Sequence, residues 1–303
     1  MITLRQLRFL VALVDELNFS RAAAACHVTQ PTLSTGLKEL EEMLGVRLAE
    51  RNRRSVIITS AGREIALRAR ALLLAAREIE DLAAQHSNPN AGDLRLGAIP
   101  TIGPFLIPKV LSGVRGAFPN LRLFLREEVT ESLLDGLAAG RLDAALIAQP
   151  FDVGSLETEF LFDDGYHLAA PRGHPGEERK AVTGTELDGA RLMLLEKGHC
   201  LQRHALSAFP DRNIQQDESF AATSLSTLIS MVGEGLGITL LPDLAIDAGA
   251  AAGYEIDLVP LVGARPRHVV MAWRPTSPRR DLFLGLSAIF RETRTAMRSA
   301  ALG

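Results

Sequence analysis

The stretch Val28 to Gly45, VTQPTLSTGLKELEEMLG, decides how the first third of this chain folds. Thr29 suits a helix N-cap, and Pro31 falls in the first turn, where a missing N–H costs little. Leu33, Leu37, Leu40 and Leu44 recur at helical spacing, and Gly45 ends the helix. Upstream, LRQLRFLVALVDEL (4–17) carries a second apolar stripe. Between them lies NFSRAAAACHV (18–28), a short helix with Ser20 as its expected cap and Ala22 to Ala25 small enough for close packing. Two short helices joined by a tight turn predict a helix-turn-helix. Downstream, RLAERNRRSVIITSAG (47–62) alternates apolar and polar residues among arginines and reads as a β-wing. Thr59 or Ser60 then caps a long amphipathic helix over 61–85, which has no domain of its own to cover its apolar stripe. It is expected to pair with a copy from another chain. HSNPNAG (86–92) reads as a linker.

From Asp93 the pattern changes. Short apolar runs such as DLRLGAIP (93–100), LRLFLREEV (121–129) and DAALIAQ (143–149) alternate with helical stretches at 104–118 and 130–140. This rhythm predicts a mostly parallel sheet. It resumes with RLMLLEKG (191–198), a helix beginning at Cys200, the helix TSLSTLISMVGEG (223–235) and the strand GITLLP (237–242). HVVMAWRP (268–275) reads as a late strand, and 277–297 as a final amphipathic helix.

The 303 residues, 47% hydrophobic and 23% charged, can bury a sizeable core. Net charge is -3, unevenly shared. Residues 1–59 hold eight Lys and Arg against six Asp and Glu, a net +2, while the remainder holds 25 against 30, a net -5. The basic end is expected to have a partner of its own. No apolar run reaches the roughly 18 residues that span a bilayer, and no signal peptide is recognisable, so no membrane partner is expected. Two cysteines make no disulfide framework, which points to a reducing cytoplasm. No metal-spaced cluster or nucleotide loop is present, and no metal or cofactor is expected. GEGLG (233–237) closes a helix and leads into a strand, the wrong context for a dinucleotide loop.

Residues 22–62, AAAACHVTQPTLSTGLKELEEMLGVRLAERNRRSVIITSAG, resemble LysR-type transcriptional regulators. The resemblance implies an α/β multi-domain chain. It has an N-terminal winged helix-turn-helix (1–59), a dimerising linker helix (60–86), a hinge (87–92) and a periplasmic-binding-protein-like effector domain (93–303) of two lobes. Lobe I is expected to take about 93–162 and 266–303, and lobe II about 163–265. Double-stranded promoter DNA, a homodimer or homotetramer and RNA polymerase are the implied partners. Helix-turn-helix docking places Gln30, Pro31, Thr32, Ser34 and Thr35 at the major groove. Lys38 and the wing residues Arg51, Arg53 and Arg54 would neutralise phosphates, although a charged run serves equally well as a solvated face. Cys26 is expected to pack as a small hydrophobe.

A cysteine at a helix N-terminus beside Gly198 and His199 can be a reactive thiolate, and it can equally be inert. LGAIPTIGPFLIP (96–108), LEKGHCLQ (195–202), FAATSLSTLISMVGEGLGITLLP (220–242) and WRPTSP (273–278) resemble the peroxide-sensing, OxyR-like subgroup of that family. The resemblance makes Cys200 the peroxide-reactive residue, with Thr101, Thr130 and Arg267 lining its pocket. One departure is plain: Phe209 stands where that subgroup carries its resolving cysteine. Thr101 and Thr130 also suit helix caps. A second reading keeps the regulator and makes the signal a small organic anion, held by Thr101, Thr130, Ser224 and Arg267 in the interlobe cleft. A third, a thiol peroxidase, leaves the N-terminal part unexplained, so the chain is not expected to be an enzyme.

Overall fold

The first 83 residues and the rest of the chain form two separate units. The computed structural model describes residues 1–52, 55–87, 90–173, 181–196, 200–220 and 222–301. In the first unit α1 (Leu4–Glu16) opens on a capping box. The Gln6 amide donates to Thr3 Oγ1 at 3.2 Å, and the Thr3 amide donates to Gln6 Oε1 at 3.1 Å. Helix α2 (Phe19–Ala25) is capped by Asn18, whose Oδ1 accepts from the amides of Ser20 at 2.9 Å and Arg21 at 3.0 Å. The cap expected at Ser20 is therefore displaced by two residues, because Asn18 reaches both orphan amides while the Ser20 hydroxyl turns to Gln30. Helix α3 (Gln30–Leu44) starts from Thr29 and ends at Gly45, which is left-handed with φ +69°. Its inward face of Leu33, Leu37 and Leu40 packs with Leu10 and Leu13 in one core.

Strands β1 (Ala49–Asn52) and β2 (Ser55–Ile58) form the antiparallel wing. Thr59 caps α4 (Ser60–Ser87) through the Gly62 amide at 2.9 Å. Gly62 itself lies so close to the wing that a Cβ there would sit 2.1 Å from the Leu48 carbonyl oxygen. This explains the TSAG run physically: the hydroxyl caps the helix, and the glycine lets helix and strand touch. Helix α4 continues through His86 and Ser87, which the sequence places in the linker; Asn88 and Pro89 lie outside the described residues.

The second unit runs β3 (Gly92–Ala98), α5 (Gly103–Ala117), β4 (Leu121–Glu127), α6 (Thr130–Ala138), β5 (Ala144–Gln149), β6 (Glu157–Asp164) and β7 (Tyr166–Pro171). It continues through β8 (Val182–Thr183), β9 (Arg191–Leu192), α7 (Cys200–Leu206), β10 (Gln215–Gln216), α8 (Leu225–Gly233) and β11 (Thr239–Pro242). It closes with α9 (Asp243–Asp247), β12 (Ile256–Val262), β13 (Arg267–Trp273) and α10 (Arg280–Ala301). One sheet has the order β4-β3-β5-β13-β6, another β11-β7-β12-β8, and each has its own hydrophobic core. The chain leaves the first sheet at Gly165 and returns to it through residues 263–266.

The expectation of a mostly parallel sheet needs correcting. In the first sheet β4, β3 and β5 run parallel while β13 is antiparallel to both β5 and β6; elsewhere β8 is parallel to β12 and β9 to β10, whereas β7 is antiparallel to β11 and β12. The helical crossovers α5 and α6 return the chain to the same end of the sheet, which forces parallel neighbours. Strand β13 instead enters from the second lobe at the end where β5 and β6 finish, so it must run the other way. RLMLLEKG is also less regular than expected. Arg191 and Leu192 pair with β10, and Leu195 makes a single bridge to Ala222.

Candidate functional site

Two regions carry the candidate residues. On α3 the apolar side is spent in the core, leaving Gln30, Pro31, Thr35 and Lys38 exposed. Thr32 and Ser34 are half-buried, and the Thr32 hydroxyl lies 2.8 Å from that of Thr29. Gln30 Oε1 accepts from the Ser20 hydroxyl at 3.0 Å, which orients its amide without burying it. Lys38 faces Glu42 one turn on at 3.5 Å in an exposed pair that contributes little and leaves the ammonium accessible. Arg51 belongs to β1 with its side chain outside the described set, and Arg53 and Arg54 lie outside the described residues. Glu41, which the sequence reading passed over, accepts from the Leu48 and Ala49 amides at 2.7 and 3.2 Å and so holds the wing to α3. Cys26 is half-buried at the end of α2, with its sulfur 3.8 Å from the Arg8 carbonyl oxygen. Burial pushes its thiol up, which suits packing rather than reactivity.

The second region lies where the chain crosses between lobes. Arg267 begins β13 with its side chain fully buried. Its Nη1 donates to Thr101 Oγ1 at 2.7 Å and its Nη2 to the Thr101 carbonyl at 3.1 Å. Its Nε and Nη2 both donate to Asp164 Oδ2, at 3.0 and 2.8 Å. Asp164 Oδ1 accepts from the Leu244 amide at 2.8 Å. Burial pushes the Asp164 carboxyl up against the downward pull of Arg267. Neither threonine is a helix cap: α5 is capped at Ile102 and α6 at Val129, both without a side-chain bond. Thr130 is buried, and its hydroxyl has no hydrogen-bond partner among the described residues. A buried orphan hydroxyl is a group that a bound polar molecule would satisfy.

Ser224 is committed elsewhere. Its Oγ caps α8, accepting from the Thr227 amide at 3.2 Å. Cys200 is the first residue of α7, its side chain outside the described set; Gly198 and His199 lie outside the described residues. Leu201 and Ala205 bury α7 in the second lobe, and Phe209 is buried in the same core. His204 was also missed by the sequence reading. It is buried, with Nε2 at 3.2 Å from the Pro150 carbonyl oxygen, so Nε2 carries the proton. Burial holds it neutral, with its pKa lowered to about 4, although the Pro150 carbonyl opposes this; the charges of Arg267 and Arg203 add to the lowering. Beside Arg267 lies a cavity of about 360 Å³ lined by Pro150, Tyr166, His204, Ser207, Arg265 and His268, among others. No group of His, Cys, Asp and Glu that could hold a metal occurs among the described residues.

Comparison with known proteins follows the two units. Residues 4–63 match the bacterial regulatory helix-turn-helix protein, lysR family, and residues 87–294 match the LysR substrate binding domain. A hydrogen peroxide-inducible genes activator of Dickeya chrysanthemi is 38% identical over 290 residues, 95% of each chain. The HTH-type transcriptional regulator EstR of Acinetobacter baylyi is 42% identical over 282 residues, 93% of each. The structure of a full-length OxyR variant from Pseudomonas aeruginosa superposes with a TM-score of 0.77 at 36% identity, covering 96% of this chain and 95% of that one. With both domain types in family order and whole-length relatives well above 30% identity, this chain belongs to the LysR family of bacterial helix-turn-helix transcriptional regulators.

Proposed function

We propose that this LysR-family regulator binds promoter DNA as a homodimer or homotetramer and responds to peroxide through Cys200. The observation that carries the peroxide reading is the buried Arg267–Thr101 pair together with the unpartnered hydroxyl of Thr130. The family resemblance implies that all three line one peroxide pocket with Cys200. The relative named for hydrogen peroxide induction supports it. In the step proposed, the Cys200 thiolate attacks one peroxide oxygen and the O–O bond breaks. The other oxygen leaves as hydroxide and takes a proton to become water, so sulfur is oxidised to sulfenic acid and peroxide is reduced. Phe209 leaves no nearby cysteine for an intrachain disulfide, so the product is a sulfenic acid or a disulfide with another thiol. Exposed Gln30, Thr35 and Lys38 fit the major-groove role, and exposed Leu67, Leu72 and Ile79 on α4 fit a paired linker helix. Such a regulator works in the cytoplasm, and no described helix is long and apolar enough to cross a membrane.

The alternative signal, a small organic anion, is favoured by the cavity beside Arg267 with Arg265 at its wall. Cys200→Ser separates the two readings. A peroxide-induced change in promoter footprint should vanish in the variant. A response that survives intact would transfer the signal to the cavity.

A further inference from the structure

Gln30 is the first residue of α3 and Ser20 the second of α2. The Ser20 hydroxyl donates to Gln30 Oε1 at 3.0 Å, and both residues are exposed. That hydroxyl takes no part in capping α2, because Asn18 Oδ1 accepts from the Ser20 and Arg21 amides at 2.9 and 3.0 Å. Gln30 Nε2 has no partner among the described residues. An untethered glutamine amide offers a donor and an acceptor together, and that pair is what reads adenine: Oε1 accepts from N6–H while Nε2 donates to N7. Here Oε1 already accepts from Ser20 and is drawn towards α2. The group left for a partner outside the chain is the NH2, a donor alone. Such a tip matches guanine, which offers N7 and O6 acceptors side by side, and at adenine it meets an N6 donor that it cannot satisfy. The same bond removes rotamer freedom that a long exposed side chain would otherwise lose on binding.

We propose that Ser20 is a positioning residue of the DNA interface that sets base specificity: by tethering Gln30 Oε1 it makes the amide a donor and favours guanine over adenine at the base Gln30 contacts. This role rests on the reading of α3 as the helix that enters the major groove. The neighbouring hydroxyls do not duplicate it, since Thr32 is tied to Thr29 at 2.8 Å and Thr35 lies more than a turn further along α3.

The test uses a randomised pool of synthetic duplexes, selected on the full-length chain and sequenced, with the position that Gln30→Ala relaxes taken as the one Gln30 reads. At that position the parent should select guanine over adenine. Ser20→Ala disturbs neither the cap nor the core, so the variant should unfold as the parent does. Its ratio of guanine to adenine should fall about tenfold, as Oε1 becomes free to accept from N6–H. Ser20→Thr keeps a hydroxyl and should keep the parent ratio. Adding Ser20→Ala to Gln30→Ala should change nothing further, because the effect passes through the amide. If Gln30→Ala relaxes a position at which Ser20→Ala leaves the ratio unchanged, the role given to Ser20 is wrong. It is equally wrong if Ser20→Ala moves the ratio by the same factor without Gln30. If Gln30→Ala relaxes no position, the groove reading of α3 fails and the role of Ser20 falls with it.

Discussion

The carboxylate of Glu41, near the end of α3, accepts from the backbone amide of Leu48 at 2.7 Å. One side chain thus fixes the angle at which the wing leaves the helix that presents Gln30 and Lys38. Glu41→Ala strips the Leu48 and Ala49 amides of their acceptor. Thermal or urea unfolding of the N-terminal unit should show a loss of about 1–3 kcal/mol. DNA affinity should fall further than this stability change explains, because the wing is no longer set for the backbone.

Substitutions on the exposed face of α3 should divide by chemistry. Gln30→Ala should relax base preference at one position, by about 1–3 kcal/mol in binding to matched and mismatched duplexes. Lys38→Ala should weaken all sequences alike and reduce the salt dependence of binding by about one counterion. Equal loss of sequence preference in both variants would contradict this assignment of α3.

His204 gives the second lobe a pH dependence of known sign. Its folded pKa, about 4, lies below the ordinary 6.5. A depressed pKa means that the unfolded chain binds the proton more readily. The stability this contributes is complete above pH 6.5 and is lost as pH falls towards 4, by roughly 3 kcal/mol across the window. His204→Gln should flatten that part of the stability curve, measured by denaturant titration between pH 7 and pH 4. An unchanged slope would mean that the ring is not neutral and buried in solution.

Leu72 and Ile79 are large apolar side chains left 57% and 70% exposed on α4. Replacing both with lysine should leave the fold of each unit intact. Sedimentation should then show the oligomer dissociating at concentrations where the parent chain stays associated, with specific DNA binding lost in parallel.

The local features were legible in the sequence wherever one residue type has a single physical use. Thr29, Pro31 and Gly45 bounded α3, the leucine spacing fixed its buried face, and the TSAG run marked the start of α4. Ser20 misled because Asn18 two residues earlier competes for the same amides. Strand direction was not legible, since apolar alternation is the same whichever way a strand runs. That β13 lies antiparallel between β5 and β6 follows from where the chain re-enters the first lobe, a property of tertiary connection. The same holds at the crossing. Thr101 and Arg267 could be named as partners from their resemblance to a known pocket, whereas Asp164 and His204 could not. Asp164 reaches Arg267 across 103 positions and His204 reaches Pro150 across 54. Short-range pattern sets caps, faces and turns; only folding brings distant polar groups together in a buried site, where each must find a partner or remain an unmet donor or acceptor.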